Sequence, residues 1–195
     1  MSPVLEAEDV ARYLTSDPVV QSDAPAVVAL ARKLREMHPV DAEFAKASFV
    51  WVRDNIAHSY DARDPRVTLA ASEVLREQVG LCYAKSVLLA ALLRAQGVPA
   101  GLCYQRLGSA EDGFVVHGLV AIWLDGAWHR QDPRGNKSGI DAQFSLNDER
   151  LAYDLNEERG ERDYRRLYST AAPEIVAALK TSTDILAVAL PEDLA

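Results

Sequence analysis

The sequence has little cysteine, a shortage of basic charge and no long uncharged apolar run, and each shortage excludes a class of function. Its two cysteines are too few for a disulfide framework, and no C-x-x-C or H-x-x-x-H spacing is present to hold zinc. Lys and Arg number 21 against 29 Asp and Glu, a formal net charge of -8, which repels phosphate backbones and offers anionic lipids no polybasic surface. Neither nucleic acid nor a membrane is an expected partner. Nothing is long and uncharged enough to span a bilayer, and the opening "MSPVLEAEDVARYL" has acids where a secretion signal needs a basic start and an unbroken apolar stretch; a cytoplasmic location is expected. Repeats, low-complexity tracts and Gly/Ser linkers are missing too. With 195 residues, 49% of them hydrophobic, the chain is expected to form a single domain, 1–195, around a sizeable core. There is no EF-hand loop, and the acidic clusters "NDER" and "NEERGERD" read as solvated faces, so neither a metal nor a cofactor is expected.

What is present divides by periodicity. Val27, Leu30, Ala31, Leu34 and Met37 recur at helical spacing behind Asp23 and Pro25, and a second helix, with Asp41 as its cap, puts Phe44, Ala47, Trp51, Val52 and Ile56 on a shared face. The polar "HSYDARD" reads as a loop, and a short helix over 70–76 leads to Gly80. From Ala100 the pattern changes: "GLCYQRL", "FVVHGLVAIWL" and "AWHRQD" are strand-like, and helices over 173–180 and 184–190 are expected in the tail. Helices first and an antiparallel sheet later imply an α+β fold.

Between Cys82 and Gln96 the clearly polar side chains are Lys85, Ser86, Arg94 and Gln96, and a helix apolar nearly all round is buried among other elements. Gly97 and Pro99 fit its end. Cys82 falls in its first turn, where unpaired N–H groups and the positive end of the helix dipole favour thiolate over thiol. A free cysteine is more often a small apolar filler. Cys103, inside an alternating strand, takes that reading.

The dipeptide Asp125-Gly126 between two strand-like runs signals a two-residue turn, which fixes the register. If Leu124 pairs with Ala127, then Trp123 faces Trp128, Ala121 faces Arg130 and Leu119 faces Asp132. His117 and Asp132 become diagonal neighbours on the same face, with Cα atoms about 7–8 Å apart. A carboxylate accepting from one imidazole nitrogen leaves the other to take a thiol proton. Taken singly, Asp132 reads as the start of a turn before Pro133, and His117 as a satisfied core histidine. One hairpin presenting both, downstream of a helix-start cysteine, points instead to a nucleophile, a base and its orienter. His129 pairs with Ile122 and faces the other way. On the His117 face Trp123 and Trp128 form either an aromatic wall or core, and Arg134 and Asn136 in "DPRGNK" either contact substrate at the cleft rim or simply build a turn.

The blocks "ASEVLREQVGLCYAKSVLLAALLRAQGVPAG" and "HGLVAIWLDGAWHRQDPRGN" resemble the bacterial transglutaminase-like domain proteins of the transglutaminase-like, papain-like cysteine protease superfamily. The resemblance is carried from about Ala71 to Asn136, with weaker similarity through "FVWVRDNIAHSYDARD", which together give a motif-bearing core of about 41–140. The resemblance implies a central buried helix on an antiparallel sheet with additional helices at both ends. It implies Cys82, His117 and Asp132 as a catalytic triad that forms a thioester from an amide or peptide, such as a glutamine carboxamide. Water then gives hydrolysis and an amine acceptor gives transamidation; a small chain without the accessory domains of animal transglutaminases leans towards hydrolysis. Animal transglutaminases place an oxyanion-binding tryptophan just before the segment matching Ser72 to Leu75, where this chain has Thr68 and Leu69. The Cys82 N–H is expected to supply one oxyanion contact and Gln78 or Tyr60 another, although Gln78 also reads as a solvated loop residue and Tyr60 as a packing aromatic. Arylamine acetyltransferases use a similar triad, but their arginine-glycine-glycine lead-in is missing from "EQVGLC". The competing class is a peptide-binding module that keeps the fold without turnover. Any amide-directed activity should proceed at full rate in excess EDTA; activity lost on chelation and restored by a divalent ion would overturn the metal-free reading.

Overall fold

A computed structural model describes residues 3–195. The apolar run after Leu81 forms helix α5 (Cys82–Arg94), every residue of which is buried. Around it the chain lays α1 (Pro25–Met37), α2 (Asp41–Asn55), β1 (Ala57–His58), α3 (Ser59–Ala62), α4 (Ala71–Glu77) and β2 (Val79–Gly80). After it come β3 (Ala100–Ser109), β4 (Gly113–Leu124), β5 (Ala127–Gln131), β6 (Arg162–Asp163) and α6 (Pro173–Thr181). The main sheet is antiparallel with strand order β5-β4-β3-β6, and β1 pairs with β2 in a separate parallel ribbon. This is the α+β arrangement expected from the periodicity, with a central buried helix packed on the sheet.

Alternation along β4 divides its two faces. Val116, Val120, Ile122 and Leu124 join the core cluster that contains α5, whereas Leu119 and Ala121 join a smaller cluster with Tyr13, Cys103 and Leu167. The hairpin has the expected register, with Leu124 opposite Ala127, Trp123 opposite Trp128 and Ala121 opposite Arg130. Asp125 and Gly126 both take positive φ, 52° and 79°, as a type I′ turn requires.

Several elements depart from the sequence reading. Asp41 is the first helical residue of α2 rather than its cap; its carboxylate reaches the Arg35 guanidinium at 2.8 Å instead. The buried stripe of α2 is Phe44, Ala45, Ser48, Phe49 and Val52, with Ala47 and Trp51 only partly covered on its flanks. "HSYDARD" is structured, because Ala57 and His58 pair with Val79 and Gly80 and a single helical turn follows. A two-residue pairing has no periodicity to detect. The segment 184–190 is irregular rather than helical. Its surroundings compete with local helix signals: the Ile185 N–H donates to the Pro65 carbonyl, 2.9 Å, and just beyond it the Pro191 carbonyl accepts the Val116 N–H of β4, 3.1 Å.

Lys85 is fully buried inside α5, and its ammonium donates to the carbonyls of Arg53, at 3.2 Å, and of Ile56. Carbonyls at a helix C-terminus lack intrahelical partners and carry the negative end of the dipole, so the lysine ties the end of α2 to α5. Burial, then the Arg134 charge, lowers its pKa to about 7. The unfolded chain therefore holds this proton more strongly than the folded one from about pH 7 up to the ordinary lysine value, and the group's contribution to stability rises with pH across that window. Chemical denaturation of wild type and Lys85→Met at several pH values tests this. The difference should shift in favour of wild type between about pH 7 and about pH 9, and a pH-independent difference would contradict the assignment.

Candidate functional site

Strand β5 pairs with β4 only as far as Val120. On that edge, Gly118 and Val116 still present backbone groups that need partners. The start of α5 supplies most of them. The Gly118 N–H donates to Cys82 Sγ at 3.4 Å, the Ser86 hydroxyl donates to the Gly118 carbonyl at 3.2 Å, and the Tyr83 hydroxyl donates to the Val116 carbonyl. The remaining Val116 N–H is taken by Pro191. Glycine at 118 permits this approach, since a Cβ there would lie 2.8 Å from Tyr83 Cδ1 and 3.0 Å from Tyr83 Cα. The helix start is thus fixed against the strand residue next to His117.

His117 Nε2 and Asp132 Oδ2 are 2.8 Å apart, with the histidine 5% and the aspartate 0% exposed. The carboxylate also accepts the backbone N–H groups of Ala152, 2.9 Å, and Arg134, 3.0 Å. Burial opposes its charge, but His117 and these two donors hold its pKa below the usual carboxylate value. For His117 burial opposes the imidazolium. The charge of Asp132, followed by the charge of Cys82 and hydrogen bonds to both, outweighs burial and raises its pKa well above 6.5. With Nε2–H directed to Asp132, Nδ1 is left for the thiol side. Tyr153 packs edge-on against the ring, centroids 5.1 Å apart at 90°.

Cys82 and His117 line a cavity of about 340 Å³ together with Tyr60 and Arg134. Leu107, Val115 and Leu190 give it an apolar wall, and His58, Tyr153, Asp154 and Glu161 also line it. Arg134 donates from its two terminal guanidinium nitrogens to Asp61, at 2.7 and 3.1 Å, and from Nε to the Tyr153 hydroxyl at 3.1 Å. Burial opposes the Asp61 charge, but the hydrogen bonds from Arg134 and Lys137 hold its pKa well below the usual range. The structure does not bring the other candidates to this cavity. Gln78 is exposed and closes α4 in a left-handed conformation, φ 54°. Asn136 bonds within its own loop, to Asp141 at 3.2 Å and to the Ala142 N–H at 2.8 Å. Trp123 and Trp128 pack against each other further along the sheet, centroids 5.3 Å apart and planes tilted by 59°, and Trp128 also meets Tyr13 at 4.9 Å. Cys103 is fully buried in that second cluster, and burial pushes its thiol up to about 12.

Sequence reasoning missed His58, Asp61, Tyr153 and Leu190. His58 lay in a stretch read as loop, and Leu190 at the end of an expected helix. Asp61 and Tyr153 carry no local pattern that marks them. Among the described residues, no group of three or more His, Cys, Asp and Glu side chains is arranged to hold a metal ion.

The family model of the transglutaminase-like superfamily matches residues 28–133, more than half of the sequence. The chain belongs to this superfamily. Two solved structures share the fold of this transglutaminase-like protein. One is a candidate cysteine protease from Cytophaga hutchinsonii, with TM-score 0.51 and 20% identity over 69% of this chain and 45% of that one. Another is the periplasmic domain of TgpA from Pseudomonas aeruginosa bound to ethylmercury, with TM-score 0.50 and 21% identity over 64% of this chain and 48% of that one. The chain therefore spans just under half the length of either neighbour. No curated protein matches it. Among the described residues, no helix is long and apolar enough to cross a membrane.

The close approach at Gly118 generates a test. Gly118→Ala should destabilise the protein by about 1–3 kcal/mol through overpacking against Tyr83 and should change the rate at which Cys82 alkylates. Wild-type stability and alkylation would show that the contact does not set the helix start.

Proposed function

We propose that this protein is a thiol-dependent acyl-transfer enzyme acting on peptide or protein amides, with Cys82 as nucleophile, His117 as general base and acid, and Asp132 as orienter. The observation that carries the reading is the buried His117–Asp132 pair next to the helix start that bears Cys82. The thiol gives its proton to Nδ1 of His117, and the sulfur attacks the carbonyl carbon. The imidazolium, stabilised by Asp132, then protonates the departing amine, leaving a thioester on Cys82. Water activated by the neutral imidazole releases the acid and restores the thiol. An amine in place of water gives transamidation, and hydrolysis is the favoured outcome. The apolar wall of Leu107, Val115 and Leu190 suits an uncharged acyl-donor side chain, such as a glutamine-type carboxamide or an aliphatic group. Arg134, buried and held by Asp61, serves here as part of the cavity wall, and the whole reaction is assigned to one domain, 1–195. Two free cysteines fit a reducing, cytoplasmic setting.

The alternative, a peptide-binding module without turnover, fits the burial less well. Placing a carboxylate and an imidazole out of water is costly, and apolar residues of similar volume usually serve stability as well or better. A purely structural role therefore gives no reason for Asp132 to be fully buried against His117.

Iodoacetamide labelling followed by peptide mass mapping separates the two. Cys82 should label well before Cys103 at neutral pH. His117→Ala should slow that labelling and reduce turnover of an amide substrate by about 10²–10⁴-fold, and Cys82→Ser should abolish turnover. Slow, equal labelling of both thiols would favour the module.

A further inference from the structure

We propose that His58 is a second oxyanion donor, its Nε2–H completing with the Cys82 backbone N–H the pair of donors that receives the acyl oxygen; this rests on the acyl-transfer reading above. A tetrahedral intermediate on Cys82 places negative charge on the former carbonyl oxygen, and such sites normally present preorganised donors to it. Cys82 opens α5, so its N–H has no intrahelical partner and is available. Of the two side chains considered from sequence, Gln78 lies outside the cavity and Tyr60, 43% exposed, sits on its rim.

His58 is placed differently. The parallel β1–β2 pair sets it opposite Gly80, two positions before Cys82, so the strand carries it alongside the turn that delivers the nucleophile. It is 9% exposed and lines the same cavity as Cys82 and His117. Its Nδ1 is buried with no hydrogen-bond partner. A buried N–H left orphaned is rarer than an under-satisfied acceptor, so the ring proton belongs on Nε2, the nitrogen that is not walled in. The ring also stays uncharged: burial, then the Arg134 charge, lowers its pKa to about 3, with Lys85 and His117 adding in the same direction against the opposing charge of Asp61. A neutral donor lining the same cavity can bind the developing oxyanion without repelling the imidazolium of His117. As the sulfur–carbon bond forms, the carbonyl π pair moves onto oxygen, where the Cys82 N–H and the His58 Nε2–H receive it. When the amine leaves, that pair returns to the carbonyl of the thioester.

The experiment compares two reactions at Cys82, only one of which creates an oxyanion. Acylation by p-nitrophenyl acetate passes through a tetrahedral intermediate; alkylation by iodoacetamide does not. His58→Phe should lower the acylation rate by about 10²–10³-fold, the usual effect of losing one oxyanion donor, while leaving alkylation of Cys82 close to wild type. His58→Gln, which returns an N–H donor, should recover part of the acylation. Buried Cys103 reports on folding, and if the Phe variant exposes it to alkylation, the donor-free His58→Leu takes its place in the comparison with His58→Gln. Acylation unchanged in the variants, or acylation and alkylation falling together, would overturn the assignment and leave His58 as a packing residue. Wild-type Cys82 acetylating no faster than an ordinary thiol would instead remove the acyl-transfer reading, and this assignment with it.

Discussion

Where β5 leaves β4 after Val120, the outward-facing backbone groups of Gly118 and Val116 must find partners, and the first turns of α5 provide most of them. A buried ladder that simply stopped would leave polar groups unsatisfied at a cost of about 1–3 kcal/mol each. Filling it with Cys82, Tyr83 and Ser86 converts that requirement into positional control. The sulfur is held by the N–H of the residue that follows His117, so nucleophile and imidazole are registered through one peptide unit. Gly118 is the condition for this arrangement, because no larger residue lets Tyr83 approach so closely.

A second constraint is electrostatic. The chain is acidic overall, yet Lys85, Arg134 and His117 cluster near the cavity, each buried. Each has its own oxygen partner: the α2 carbonyls for Lys85, Asp61 for Arg134, and Asp132 for His117. These pairings link α2, α3, α5 and the segment after β5, so elements remote in sequence are held around one opening. They also explain two opposite histidine environments a short distance apart. His117 has a hydrogen-bonded carboxylate and is driven towards the charged form, whereas at His58 burial and the charges of Arg134, Lys85 and His117 outweigh that of Asp61 and drive the ring away from it.

Much of this could be read from the sequence because it is local. The apolar run of α5 needs only composition and spacing, and Asp125-Gly126 fixes a register that carries His117 and Asp132 to the same face by arithmetic alone. What was not legible depends on contacts between distant segments. The pairing of His58 with Gly80 joins residues separated by α3 and α4, and nothing in "HSYD" announces it. Leu190 sits on an irregular strap because Pro65 and β4 compete for the tail's backbone, a tertiary effect that outweighs its helical caps. Trp123 and Trp128 do face each other as the register requires. Their strands carry them away from the cavity, Trp128 against Tyr13 of the N-terminal segment, a distance that alternation alone cannot give.

The central claim is that Asp132 sustains a protonated imidazole at His117 inside a buried site. Nitrogen NMR titration of the His117 ring, in wild type and in Asp132→Asn, measures this directly. The wild-type ring is expected to carry protons on both nitrogens well above the ordinary histidine value of 6.5, and Asp132→Asn is expected to bring the midpoint down sharply. A wild-type ring already neutral at that ordinary value, or a midpoint indifferent to Asp132→Asn, would contradict the account.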